Sequence, residues 1–272
     1  MKQMFVGTAI GRLALSIRET VHLLRAMYSE PEVAGMFAND WLASHLVTRL
    51  CQSGKTFVDV GAHIGSIISE VKRQCPATKI VAIEAIPQKV EALRRRFPAV
   101  EFHACALGES EGETSFFVNT RRSGYSSLGR PSDTGESETV EMKVPLKRLD
   151  GLIAADGIDV IKIDVEGAEL GVLRGSDQIV ARSRPTIMFE SGPQADDGLG
   201  YTKEALWDWF AARDYAVLVP NRVAHLDPGL SQGGFVESHL FPRRTTNYFG
   251  VAKKRRDEIR DRARTVLKTK LS

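Results

Sequence analysis

Between Phe57 and Gly65 a short apolar run, Phe57-Val58-Asp59-Val60, meets two glycines and passes at once into an apolar helical pattern at Ile64, Ile67, Ile68 and Val71. That order is a strand feeding a tight turn into a helix, and it commits the chain to an α/β unit. Glycine permits the sharp turn and lets the backbone approach a ligand with no Cβ between them. Free amides at the helix start add polar donors at the same place. A second run, Lys79 to Ile83, reads as another strand and stops at Glu84, 19 residues after Gly65. An acid at that tip suits the hydroxyl pair of a ribose, about 20 residues on as in dinucleotide folds. The unit is built for a cofactor that contains a nucleoside.

The glycine pattern narrows the cofactor. Here it is Gly61-x-x-x-Gly65 with Asp59 just ahead, in place of G-x-G-x-x-G. A pyrophosphate seated on the helix terminus would be repelled by that acid. S-adenosylmethionine has no phosphate, and its amino-acid end carries an ammonium and a sulfonium. A P-loop is excluded, because Gly54-Lys55-Thr56 precedes the strand and lacks the upstream glycine. The expected cofactor is S-adenosylmethionine, with Asp59, Gly61, Ala62, His63, Gly65, Glu84 and Ala85 as its candidate contacts.

Five blocks carry a resemblance: Asp59-Val-Gly-Ala-His-Ile-Gly65, Ile83-Glu84-Ala85, Ala106-Leu107-Gly108, Ser123-Gly-Tyr-Ser-Ser-Leu128 and Lys162-Ile-Asp-Val-Glu-Gly-Ala-Glu169. Over about residues 50 to 255 the chain resembles the FkbM family of S-adenosylmethionine-dependent methyltransferases. The resemblance implies a Rossmann-like class I methyltransferase fold and methylation of hydroxyls, often on sugars or natural products. It also implies that Cys105-Ala106-Leu107 lies beside the adenine, which makes Ala106 and Leu107 cofactor contacts. A small apolar surface there suits a flat ring.

The rest of the chain is consistent with that fold. Strands at 56–60, 79–83, 100–104, 158–163, 186–190, 215–219 and 248–252 alternate with helices, which predicts a mostly parallel seven-stranded sheet. The last strand is expected to be antiparallel by the same resemblance. A β insertion is expected at about 110–148, with strand-like Thr114 to Val118 and Thr139 to Val144 around a loop rich in Ser, Gly and Arg. Residues 1–50 read as a helical extension: Ile10, Leu13, Ile17, Val21 and Leu24 form one stripe. Ser29-Glu-Pro-Glu32 resembles a capping box before a second helix with Val33, Phe37 and Trp41 on a face. These helices are expected to cover one end of the sheet and to help close the pocket. The methyltransferase domain is expected over 51–253 and a basic helix over 254–272.

Composition excludes several classes. With 272 residues and 43% apolar side chains, the chain can bury a full α/β core. Cys51, Cys75 and Cys105 show no metal spacing, and without a secretory leader they are expected to be reduced in a cytoplasm. The net charge is +3, yet Lys253 to Ser272 alone carries nine bases against three acids. Ile259, Ala263, Val266 and Leu267 share a face of that segment. One reading is a helix docked on its own domain; the other is peripheral contact with anionic lipid or an acidic carrier protein. No basic stretch is interleaved with aromatics, so nucleic acid is not an expected partner.

The chemistry is expected at the carboxyl ends of the strands. Asp164 stands at the tip of the fourth sheet strand, with Glu166 two residues on, Glu169 beyond, and Glu190 ending the fifth. A sugar hydroxyl is a very weak acid, so a base that takes its proton assists transfer. Asp164 and then Glu166 are the candidates. In the alternative, Asp164 only holds the methionine end while Glu166 and Glu169 serve a helix terminus. Tyr125 and Ser126, in the 123–128 loop, offer an aromatic face and a hydroxyl to a sugar, and Glu190 is aimed at the same rim. No metal is expected, since Asp164-x-Glu166 is not a diagnostic ligand motif. His63 is expected to line the cofactor pocket. His103 is equally open to a packing role, and His22, His45, His225 and His239 are expected to be surface or core residues.

The predicted activity is O-methyl transfer to a saccharide, glycolipid or natural-product acceptor. A non-catalytic binding protein tethered by the basic helix is the alternative. N-methylation fits less well, because Ile-Asp-Val-Glu stands where amide- or base-methylating enzymes often carry Asn-Pro-Pro or Asp-Pro-Pro.

Overall fold

In the computed structural model residues 24–119, 127–129, 139–153, 156–192 and 199–269 are described, with positions 17, 20 and 21 ahead of them. Among these residues ten strands form two sheets: β1 (Thr56–Val60), β2 (Lys79–Glu84), β3 (Glu101–Ala104), β4 (Ala106–Leu107), β5 (Gly112–Asn119), β6 (Thr139–Lys147), β7 (Ile158–Ile163), β8 (Thr186–Glu190), β9 (Tyr215–Leu218) and β10 (Asn247–Ala252). The main sheet has seven strands in the order β3-β2-β1-β7-β8-β10-β9. All its pairings are parallel except those of β10, which runs antiparallel to β8 and β9. This is the Rossmann-like class I methyltransferase arrangement.

The central strands are apolar because both faces are covered. Val58, Val60, Ile161, Ile163 and Phe189 enter one core layer, while Phe57, Val160, Met188 and Phe249 enter the other. Helices supply the cover: α1 (Ala34–Val47), α2 (Ser66–Gln74), α3 (Pro87–Arg96), α4 (Glu169–Arg174), α5 (Asp177–Ser183), α6 (Lys203–Ala211), α7 (Gln232–Glu237) and α8 (Arg256–Leu267). Phe189, fully buried, stacks on Phe210 of α6 at 4.7 Å and lies 5.8 Å from Tyr248.

The insertion is a second sheet in the order β4-β6-β5. Its hairpin runs in continuous register from Gly112↔Leu146 to Asn119↔Thr139. Ser127 bridges back to Phe117 through two backbone hydrogen bonds of 2.9 and 3.1 Å. That return brings Phe116 and Leu128 into a small apolar cluster with Ile86, Ala106 and Val144.

The amino-terminal helices depart from expectation. Ser29 ends a helical stretch, and Glu30 precedes a 3-10 turn, Pro31–Val33, without any side-chain cap. Pro31 opens the turn because its fixed φ suits a first helical position, so no capping box forms. The buried face of α1 is Asn39, Ala43, Leu46 and Val47, whereas Trp41 is 49% exposed and stacks on His45. Asn39 and Asp40 fasten α1 to the segment before β10 through Arg244, Thr245 and Thr246. Ile17, Val21 and Leu24 are all exposed by more than half, so they do not cover the sheet; Ile10 and Leu13 lie outside the described residues.

At the other end, Ile259 and Ala263 of α8 are buried in the second core layer, with Val266 and Leu267 packed against it. Arg255 and Arg262 close on Asp159 at 2.7 and 2.8 Å, and Arg256 and Arg264 donate to the carbonyls of Val223 and Ala224. Arg260 pairs with Asp257 and Asp261 within its own helix. These contacts fasten the helix to its own domain. Among the described residues no helix is long and apolar enough to cross a membrane.

Candidate active site

The β1 tip turns through Gly61 at φ +81° and His63 at φ +47° to Gly65 at φ +77°, which precedes α2. A Cβ on Gly61 would lie 1.9 Å from the Asp164 carbonyl oxygen, so only glycine lets the β1 and β7 tips approach this closely. A Cβ on Gly65 would meet Leu93 and Phe97 at 2.7 and 2.8 Å, which seats α3 against the turn. The amides of Gly61 and Ala62 both donate to the Ile83 carbonyl at 3.0 Å, locking the turn to β2.

Glu84, at the β2 tip, is buried and held from both sides. Its Oε2 accepts from the His63 amide at 2.9 Å and its Oε1 from the Ile86 amide at 3.0 Å. Lys89 stands 4.0 Å from the same carboxylate and 2.8 Å from His63 Nδ1. Burial, and then the Lys89 charge, pushes the His63 imidazole down to about 4. It is therefore neutral at pH 7, and Nδ1 accepts from the ammonium. Each carboxylate oxygen of Glu84 keeps lone-pair capacity for a further donor.

These residues border a cavity of about 320 Å³. Its polar lining includes Gly61, His63, Glu84 and Lys89, and its apolar lining Cys105, Ala106, Leu107, Phe116 and Leu128. Ala85, Asp164, Val165, Glu166 and Glu190 complete the rim. Of the residues predicted from sequence, Gly61, His63, Glu84, Ala85, Ala106, Leu107, Asp164, Glu166 and Glu190 meet at this one cavity. Ala62 and Gly65 shape the turn behind it. Tyr125 and Ser126 lie outside the described residues.

Asp59 is not among the residues that line the cavity: it is fully buried and pairs with Lys162 at 3.2 Å. Lys162 also reaches Asp164 at 3.3 Å and donates to the Gly61 carbonyl at 2.7 Å. The acid proposed to meet the cofactor is thus answered by a cation of the chain itself.

The acidic rim is graded. Asp164, Glu166 and Glu190 carry carboxylate oxygens within 4.8 Å of one another. Burial and then the Asp164 charge hold the Glu190 carboxyl far above its usual range, so it keeps its proton and shares it with Asp164. Burial would raise Asp164 too, but the Lys162 ammonium and the hydrogen bond from Glu190 outweigh it, and Asp164 lies below its usual range. Glu166, a non-glycine residue at φ +54°, is pushed up to about 7 by burial, then by the charges of Asp164 and Glu169. Its left-handed backbone costs about 1–2 kcal/mol. That cost fits a side chain held at a working position.

Glu169 faces inward. Its Oε1 accepts from the amides of Val165 and Gly167, both at 3.2 Å, and holds the turn that presents Glu166. Burial lifts its carboxyl from 4.5 to about 7. A carboxyl raised on folding stabilises the fold below its unfolded value and loses that contribution as pH rises through the folded one. Glu169→Gln keeps an acceptor and cannot ionise. It is expected to flatten the fall of melting temperature that wild type shows from about pH 5 to 8; parallel melting curves would remove Glu169 from that dependence.

Sequence reasoning missed Lys162, Lys89 and Phe116. Only Lys162 carried a signal, as one of two charges, with Asp159, inside the otherwise apolar run Ile158 to Ile163.

The chain is 29% identical over 143 residues to "Methyltransferase 1" of Beauveria bassiana, covering 44% of this chain and 57% of that protein. It is 31% identical over 160 residues to "Methyltransferase sdnD" of Sordaria araneosa, covering 46% and 62%. The chain thus spans less than two thirds of these curated relatives. A crystal structure of a methyltransferase FkbM from Methylobacillus flagellatus KT is similar at a TM-score of 0.47 and 19% identity, over 74% of this chain and 44% of that one. The family model described as the methyltransferase FkbM domain matches residues 59–217, more than half of the sequence. The chain belongs to the FkbM family of S-adenosylmethionine-dependent methyltransferases.

Proposed function

We propose that the protein transfers the methyl group of S-adenosylmethionine to a hydroxyl of a sugar, glycolipid or natural-product acceptor. The observation that carries this is Glu166, a carboxyl poised at about 7 on the rim of the cofactor cavity. A weakly acidic hydroxyl gains most from a base titrating near the working pH.

The chain's residues fit the cofactor. Glu84 offers its remaining lone pairs to the ribose hydroxyls, and Ala106, Leu107, Phe116 and Leu128 form an apolar wall for a flat ring. Asp164, kept ionised beside a protonated Glu190, suits the cationic amino-acid end. When bound, S-adenosylmethionine supplies a methyl carbon already activated by its sulfonium. Glu166 then takes the proton that the acceptor hydroxyl must lose. We thus assign the base to Glu166 and reserve Asp164 for binding, because a carboxylate held below its usual range is a poor proton acceptor.

A cavity of about 320 Å³ is at the small end of ligand sites and suits one ligand. The acceptor then enters over the rim that carries Glu166 and Glu190, with Tyr125 and Ser126 as further acceptor contacts. No metal is required in this scheme, since Asp164 is already answered by Lys162 and by the Glu190 proton.

The test is methyl-labelled S-adenosylmethionine incubated with the protein and a panel of hydroxylated sugars, glycolipids and polyketide-like alcohols, with products read by mass spectrometry. A labelled methyl ether, formed equally with a chelator present, is the expected result. Label appearing only on nitrogen or carbon acceptors overturns the hydroxyl assignment. A chelator-sensitive rate overturns the metal-free one.

A further inference from the structure

We propose that Lys162 is a positioning residue of the cofactor site: its buried ammonium ties the β1 turn to the β7 tip and holds the Asp164 carboxylate for the cofactor's cationic end. The proposal rests on the assignment of Asp164 as a cofactor-facing carboxylate.

Lys162 is the penultimate residue of β7, and its register partner on β1 is Asp59. Partners in adjacent parallel strands leave the sheet on the same face, so the two charges lie side by side beneath the cavity. The lysine side chain does more than answer Asp59. Its Nζ runs forward to the strand tips, where it donates to the carbonyls of Gly61 at 2.7 Å and Val60 at 3.3 Å and stands 3.3 Å from Asp164 Oδ2. One ammonium with three protons thus gathers four oxygens from two strands.

A buried ion pair is weak evidence for stability, because desolvation offsets most of the attraction. An apolar pair at positions 59 and 162 would fill the layer at less cost. What an apolar pair could not do is reach Asp164. The Lys162 side chain is 5% exposed, so it does not present itself to a ligand, whereas the Asp164 side chain is 40% exposed. The lysine therefore acts through the aspartate. Of the other ionisable groups around Asp164, Glu190 also favours the carboxylate, but as a neutral hydrogen-bond donor and not as a charge. Asp59, Glu166 and Glu169 are acids, Glu190 carries a proton, and His63 is neutral.

The experiment compares three full-length variants with wild type: Asp59→Asn with Lys162→Met, Asp164→Asn, and all three together. Thermal melting and calorimetric S-adenosylmethionine affinity are measured from about pH 5 to 8. Asp59→Asn is included because Lys162→Met alone strands a buried charge. The double variant is expected to melt near wild type yet bind about tenfold more weakly. Its affinity is also expected to fall further as pH drops, because without the ammonium burial raises the Asp164 carboxyl. Adding Asp164→Asn should cost little more, the non-additivity of residues acting as one unit. Wild-type affinity in the double variant, or fully additive losses, overturns the proposal. If Asp164→Asn binds as wild type does, the assignment of Asp164 fails instead. Should the lysine variants not fold, carbon-13 carboxyl titration of wild-type Asp164 decides: a midpoint in the ordinary aspartate range overturns the proposal.

Discussion

Replacing Glu84 by alanine is expected to weaken S-adenosylmethionine binding by at least about 100-fold, since each hydrogen bond to a charged acceptor contributes about 1.5–3 kcal/mol and a ribose presents two hydroxyls. The loss has two sources. The carboxylate is the acidic acceptor at the β2 tip, and it also satisfies the buried amides of His63 and Ile86 at 2.9 and 3.0 Å. Without it those amides are left unpaired, the turn that carries Gly61 loosens, and the melting temperature falls as well. Glu84→Gln separates the effects. It keeps one carbonyl acceptor and the shape of the side chain, so its affinity should fall by only about tenfold. Titration calorimetry on both variants is decisive: an alanine variant within about threefold of wild type removes Glu84 from cofactor recognition.

The strands were legible because both sheet faces are covered and each central strand is a short apolar run between turn residues. The tip acids were legible for a related reason: Glu84, Asp164 and Glu190 each stand where such a run stops. What escaped reading was pairing. Asp59 reads as a ligand contact until Lys162, more than 100 residues away, is placed beside it by strand register. The capping box at Ser29 failed for a local reason, since a preceding helix already claims that serine and Pro31 opens the next turn. Phe116 could not be assigned to the cavity, because nothing in the insertion announces that this face of the hairpin packs with Ile86 and Ala106. Periodicity reports which side of an element is apolar; it does not report what an element meets.

Glu166→Gln is expected to lower turnover by about 10²- to 10⁴-fold, the usual contribution of a positioned general base. Cofactor affinity should change little, because the contacts proposed for the ribose and the amino-acid end lie on Glu84 and Asp164. The pH profile gives the sharper prediction. A base acts in its deprotonated form, and burial together with the charges of Asp164 and Glu169 raises Glu166 to about 7. Wild-type turnover should therefore rise through pH 7 and level off above it, while the glutamine variant loses that step. Asp164 cannot produce the same profile, since Lys162 and the proton on Glu190 keep it ionised well below the range in which the step occurs. The measurement is single-turnover methyl transfer to whichever acceptor takes up label, from about pH 5.5 to 9. A flat wild-type profile sinks the assignment of Glu166, and so does a glutamine variant that keeps the step. A step retained in Glu166→Gln but lost in Asp164→Asn would return the base to the β7 tip.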